Sequence, residues 1–62
     1  MDARSAVKVL LKGKEYAGEY DIDGTTLRVF FEGNSRTGQI RGSDPELLAR
    51  LLLIELLNRV RP

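Results

Sequence analysis

Apolar residues recur at every second position from Val7 to Leu11, with Lys8 and Leu10 between Val7, Val9 and Leu11. A period of two belongs to a strand with one buried face. The same alternation continues from Glu15 to Ile22, with Tyr16, Gly18, Tyr20 and Ile22 on one side and Glu15, Ala17, Glu19 and Asp21 on the other. A third run, Thr25 to Glu32, sets Leu27, Val29 and Phe31 against Thr26, Arg28 and Phe30. Leu10 and Phe30 are the two large apolar residues left on the opposite face.

The segments between these runs are turn-like. Gly13-Lys14 has glycine first, as a type II′ hairpin requires, and Asp23-Gly24 suits type I′, where both central residues take positive φ. If those dipeptides are the turns, Leu11 opposes Tyr16, Val9 opposes Gly18, Lys8 opposes Glu19 and Val7 opposes Tyr20. On the other side Tyr16 opposes Phe31, Gly18 opposes Val29, Glu19 opposes Arg28 and Tyr20 opposes Leu27. The inner rows then read Leu11–Tyr16–Phe31 and Val7–Tyr20–Leu27. An outer row reads Lys8–Glu19–Arg28, and Leu10, Ala17 and Phe30 form another. Such aromatic, β-branched and opposite-charge pairs each contribute about 0.2–1 kcal/mol. A one-residue slip would turn the apolar set to solvent.

Glu32-Gly33-Asn34-Ser35 marks a further turn. It is followed by a weaker strand, Arg36 to Arg41, that places Ile40 inside beside Leu27 or Val29 and turns Gly38 inward. Gly18 and Gly38 leave a depression where a helix can approach, with Ala49 the small residue expected near them. The helix start is marked by Ser43-Asp44-Pro45-Glu46: a Ser or Asp cap, proline in the first turn, an acidic residue near the positive end of the dipole and capping-box spacing. The periodicity predicts a helix from about Pro45 to Arg59. The fold expected is α+β: a four-stranded antiparallel meander in order 1-2-3-4 with one C-terminal helix packed on one face. It forms a single domain over 1–62, with Met1 to Arg4 frayed. The expected core is Val7, Val9, Leu11, Tyr16, Tyr20, Leu27, Val29, Phe31, Ile40, Leu52, Leu53 and Leu56.

The helix carries more apolar surface than this fold uses. Ala49, Leu52, Leu53, Leu56, Leu57 and Val60 form a core-facing stripe. Leu47, Leu48, Leu51 and Ile54 form a second group, separated from the first by Glu46 and Arg50 and by Glu55 and Arg59. Either the sheet curls far enough to cover that group, or a partner does. A homodimer is the simplest closure, and a different protein partner the alternative.

Composition sharpens this. A chain of 62 residues buries only about 60% of the surface exposed when unfolded, and small domains generally rely on a staple. With no Cys and no His, disulfides and thiolate or imidazole metal sites are excluded. Asp21-Ile22-Asp23-Gly24 lacks the later ligands of a calcium loop. Oligomerisation is the staple left open. The absence of Cys suits a cytoplasmic setting. No apolar stretch approaches the ~20 residues of a membrane span. Ten basic and nine acidic residues give a net charge of +1, with no overall pull toward nucleic acid or anionic lipid.

Catalysis is not expected. The common nucleophile–base pairs are missing without Cys and His, and a domain this small has little room for a deep pocket. The glycines form no phosphate loop, since Gly33-Asn34-Ser35 joins strands. No catalytic, cofactor-binding or metal-binding residues are assigned. Single-stranded nucleic acid is the second reading, through Lys8, Arg28, Phe30 and Arg41 on the outer sheet face, with Lys12 and Arg36 nearby. Glu15, Glu19 and Asp21 on that face oppose it.

Tyr16-Ala17-Gly18-Glu19-Tyr20, Phe31-Glu32-Gly33 and the leucine-rich run from Asp44 to Leu57 span most of the chain. In these features it resembles small stand-alone bacterial proteins of unknown function, which share a Tyr-x-Gly-x-Tyr strand, an aromatic-x-Gly turn and a Leu-rich C-terminal helix. The resemblance implies a bacterial, cytoplasmic origin and carries no activity. The expected role is that of a non-catalytic interaction or accessory module that self-associates through its helix.

Overall fold

The computed structural model describes residues 4–42 and 44–60. Four strands, β1 (Ser5–Leu11), β2 (Lys14–Asp23), β3 (Thr26–Phe31) and β4 (Asn34–Gln39), are followed by one helix, α1 (Pro45–Val60). The strands form an antiparallel sheet in the order β1-β2-β3-β4. The helix lies across one face, against β1, β3 and β4. The expected meander-plus-helix architecture is therefore the observed one. Of the segment expected to fray, Met1 to Ala3 lie outside the described residues. Arg4 is held: its guanidinium stands 3.8 Å from the Phe30 ring centroid and 3.4 Å from Glu19 Oε1.

The strand faces follow the alternation, but the register differs from the expected one by two residues in both early hairpins. The first turn is Lys12-Gly13, with φ of 54° and 77°, so Leu11 pairs with Lys14, Val9 with Tyr16 and Val7 with Gly18. The second is Gly24-Thr25, with Gly24 at φ 65°, so Asp23 pairs with Thr26, Ile22 with Leu27 and Tyr20 with Val29. The expected turn types are thus exchanged: X-Gly with two positive φ values where Gly-X was expected, and Gly-X where Asp-Gly was. A two-residue shift keeps every side chain on its face, so alternation alone does not distinguish the registers.

Packing does distinguish them. One step beyond the last β2–β3 pair, Glu19↔Phe30, Gly18 comes so close to β3 that a Cβ there would stand 2.8 Å from the Phe30 carbonyl oxygen and 3.3 Å from Leu53 Cδ1. The position without a side chain thus sits beside Phe30-Phe31 and under Leu53. Gly38, paired with Leu27, lies under Leu52, whose Cδ1 would be 3.1 Å from a Cβ. The glycines do receive the helix, but Leu52 and Leu53 fill them, not Ala49. Positioning Lys12 in the left-handed region costs about 1–2 kcal/mol. This is offset by a turn whose twist matches the strands and by the seating of α1.

The expected rows change accordingly. Arg28 faces Asp21, not Glu19; Lys8 faces Ala17; Leu10 faces Glu15; and Phe30 faces Glu19 and Ser35. The rows Lys8–Glu19–Arg28 and Leu10–Ala17–Phe30 do not form. Tyr16 and Phe31 still meet, edge to face, with centroids 6.3 Å apart. The third turn is the two-residue pair Glu32-Gly33, and β4 starts two residues earlier than expected. Ile40 lies past the end of β4, half-buried against the core, with its N–H donating to the Thr25 carbonyl at 2.8 Å.

The core comprises Val7, Val9, Leu27, Val29 and Phe31 from the sheet, and Ala49, Leu52, Leu53, Leu56 and Leu57 from the helix. Leu11, Tyr16, Tyr20 and Ile40, expected in it, pack against it half-buried. Asp44 is the N-cap: its Oδ1 accepts the Glu46 N–H at 3.1 Å and its carbonyl accepts the Leu48 N–H at 3.0 Å. Ser43, the other cap candidate, lies outside the described residues. The Arg36 guanidinium reaches Glu55 Oε1 at 2.6 Å, tying β4 to α1. Arg36 therefore faces the helix and is not part of the outer face.

Gly18→Ala is expected to cost about 1–3 kcal/mol, because the clashing atom is backbone. Gly38→Ala should cost clearly less, because the Leu52 side chain can yield. Asp44→Ala should cost about 1 kcal/mol through loss of the cap. Urea unfolding of the three variants measures all of these.

Candidate functional site

The helix stripe predicted to face the core does so, which leaves the second apolar group on its flank. The sheet covers part of it. Leu48 and Ile54 pack half-buried against the core, while Leu47 and Leu51 each keep 53% of their surface exposed. The four residues expected to form one surface are thus divided. Leu47 and Leu51, one turn apart on α1, remain open, and substitutions at Ile54 would disturb the core as well as the surface.

The alternation did not connect these leucines with Leu10, because Leu10 alternates to the outer side of β1. Yet Leu10 is 72% exposed and lines the same groove as they do. That groove, about 420 Å³, is bounded by Lys8, Val9 and Leu10 of β1, Glu15 of β2, and Leu47, Arg50, Leu51 and Ile54 of α1. It includes residues from both faces of β1, so it runs over the free edge of that strand. Edge position, which follows from strand order, brings Leu10 to the helix flank. Arg50 and Glu46 pair with each other at 3.0 Å beside the leucines. No ion-pair partner for Lys8 or Glu15 occurs among the described residues.

The two edges of the sheet differ chemically. β1 reads Ser-Ala-Val-Lys-Val-Leu-Leu and β4 reads Asn-Ser-Arg-Thr-Gly-Gln. β4 is polar, of the kind that discourages further strand pairing. β1 is apolar except for Ser5 and Lys8, and it borders the exposed leucines.

The outer-face candidates are dispersed. Lys8 lies on the β1 edge, Arg28 and Phe30 on β3, and Arg41 beyond β4. Phe30 is half-buried and its ring already carries the Arg4 guanidinium, with the Arg28 guanidinium 6.0 Å from the centroid. Arg28 also faces Asp21 across the strands. A second, open groove of about 570 Å³ lies around Arg4, Ala6, Ala17, Glu19 and Phe30. Glu32 lines it as well, and Arg4 and Glu19 are paired with each other.

No helix among the described residues is long and apolar enough to cross a membrane. None of the protein-family models, curated proteins or solved structures compared with the chain matches it.

Proposed function

We propose that this chain is a small, non-catalytic interaction module that self-associates through the flank of α1. The observation that carries this reading is the convergence on one groove of Leu10, Leu47 and Leu51, which are more exposed than any other large apolar side chain among the described residues, Ile22 included. Scattered apolar side chains are ordinary on a protein surface; a contiguous set rimmed by charge marks an interaction site. A domain of this size also has more need of a staple than a larger one, and with no cysteine or histidine in its sequence a second copy is a staple open to it. The missing cysteines support a reducing, cytoplasmic setting. The Tyr-x-Gly-x-Tyr strand and leucine-rich helix support a bacterial one.

Full burial of a leucine is worth about 1.5–3 kcal/mol, so covering what is exposed of these three supplies roughly 3–5 kcal/mol per copy. Association itself costs about 4–15 kcal/mol. The leucines therefore account for a weak dimer and leave room for further contacts along the same groove.

Sedimentation equilibrium from low to high micromolar concentration is expected to show a monomer–dimer equilibrium. Leu51→Glu should weaken it by about tenfold or more and leave monomer stability within about 0.5 kcal/mol of the parent, as for other exposed positions. A single monomeric mass at every concentration would overturn the reading.

A further inference from the structure

We infer that the second copy docks strand to strand, β1 against β1, to give a continuous eight-stranded sheet whose two-fold axis passes between the Val9 residues. This rests on the self-association reading and specifies its geometry. Leu11 and Lys14 close a two-residue hairpin, so they form a hydrogen-bonded pair, and odd-numbered residues of β1 direct their N–H and C=O groups to β2. The N–H and C=O groups of Ala6, Lys8 and Leu10 therefore point to the open edge. No backbone hydrogen bond to that edge occurs among the described residues. The groove lined by Leu47, Leu51 and Ile54 straddles this edge. Whatever fills the groove therefore lies alongside unpaired strand backbone, and an extended strand satisfies both surfaces at once.

Charge selects among the symmetric registers. Pairing centred on Lys8 sets two ammonium groups directly opposite each other, which is destabilising. Pairing centred on Val7 separates the two apolar grooves along the strands by four residues, about 14 Å. Pairing centred on Val9 sets Lys8 beside Leu10 of the second copy. Leu10 has Glu15 as its β2 neighbour, so each unpaired Lys8 comes near an unpaired Glu15 across the junction, twice by symmetry. A two-fold axis perpendicular to an antiparallel sheet keeps both helices on one side, where the exposed leucines of both copies flank the axis.

Two variants test this. Lys8→Pro removes a donor that points outward, so the intramolecular ladder keeps its hydrogen bonds. It should retain the far-UV spectrum and weaken the dimer by about tenfold or more, as expected for two lost hydrogen bonds. In the Val9-centred register the two Val9 Cα atoms face each other at about 4.5 Å, a non-hydrogen-bonded pair within disulfide range. Val9→Cys should therefore oxidise to a covalent dimer, while Val7→Cys should remain monomeric on a denaturing gel. A dimer that survives Lys8→Pro and shows no Val9→Cys cross-link overturns strand pairing and leaves helix-mediated self-association standing. Cross-linking through Val7→Cys instead overturns the register. A parent protein that is monomeric throughout overturns both.

Discussion

The seating of two helix leucines in two side-chain-free positions of the sheet is the constraint on which the rest of this structure depends. Leu53 enters at Gly18 and Leu52 at Gly38. Adjacent on α1, these leucines fix both the rotation of the helix and its position across the strands. That rotation sends Ala49, Leu56 and Leu57 into the core with them. It also places Leu47 and Leu51 on the flank, where the sheet ends. The exposed surface is thus a geometric result of the packed one. Rolling the helix to hide Leu51 would lift Leu52 and Leu53 out of their seats.

Much of the architecture is legible in the residue pattern. Alternation assigns every strand residue to its face, and the 3.6-residue stripe from Ala49 to Val60 assigns the helix. The cap at Asp44-Pro45 marks the helix start. What pattern does not contain is the pairing between strands. A two-residue slip preserves every facing, and glycine at position 13 or 24 can occupy either central place of its turn. The choice is made by contacts remote in sequence, Gly18 against Phe30 and Leu53, which no local rule contains. The same slip moved Arg28 from Glu19 to Asp21 and dissolved the outer apolar row.

The candidate surface was half visible for a related reason. Leu47 and Leu51 stand out as a surplus on the helix. Leu10 reads as an isolated outward residue until strand order makes β1 an edge and the groove turns over it. Ile54 and Leu48 carry the same periodic signal as Leu47 and Leu51, yet the sheet reaches them. How far a small sheet extends under a helix depends on strand length and twist, and the apolar pattern encodes neither. On the polar side, Arg36 was expected only near the edge of the outer face; its pairing with Val29 in β4 and the carboxylate of Glu55 turn it toward the helix.

The three two-residue turns have a kinetic consequence. Each strand pairs with its chain neighbour across the shortest hairpin connection, so closing each pair sacrifices little loop entropy. Hairpins of this kind form in about 1–10 μs. The inner face they create has nothing to cover it until α1 arrives, and α1 must reach back to β1, the strand farthest from it in sequence. The sheet is therefore built from contacts local in sequence, and its inner face is covered through distant ones, the most distant being α1 on β1.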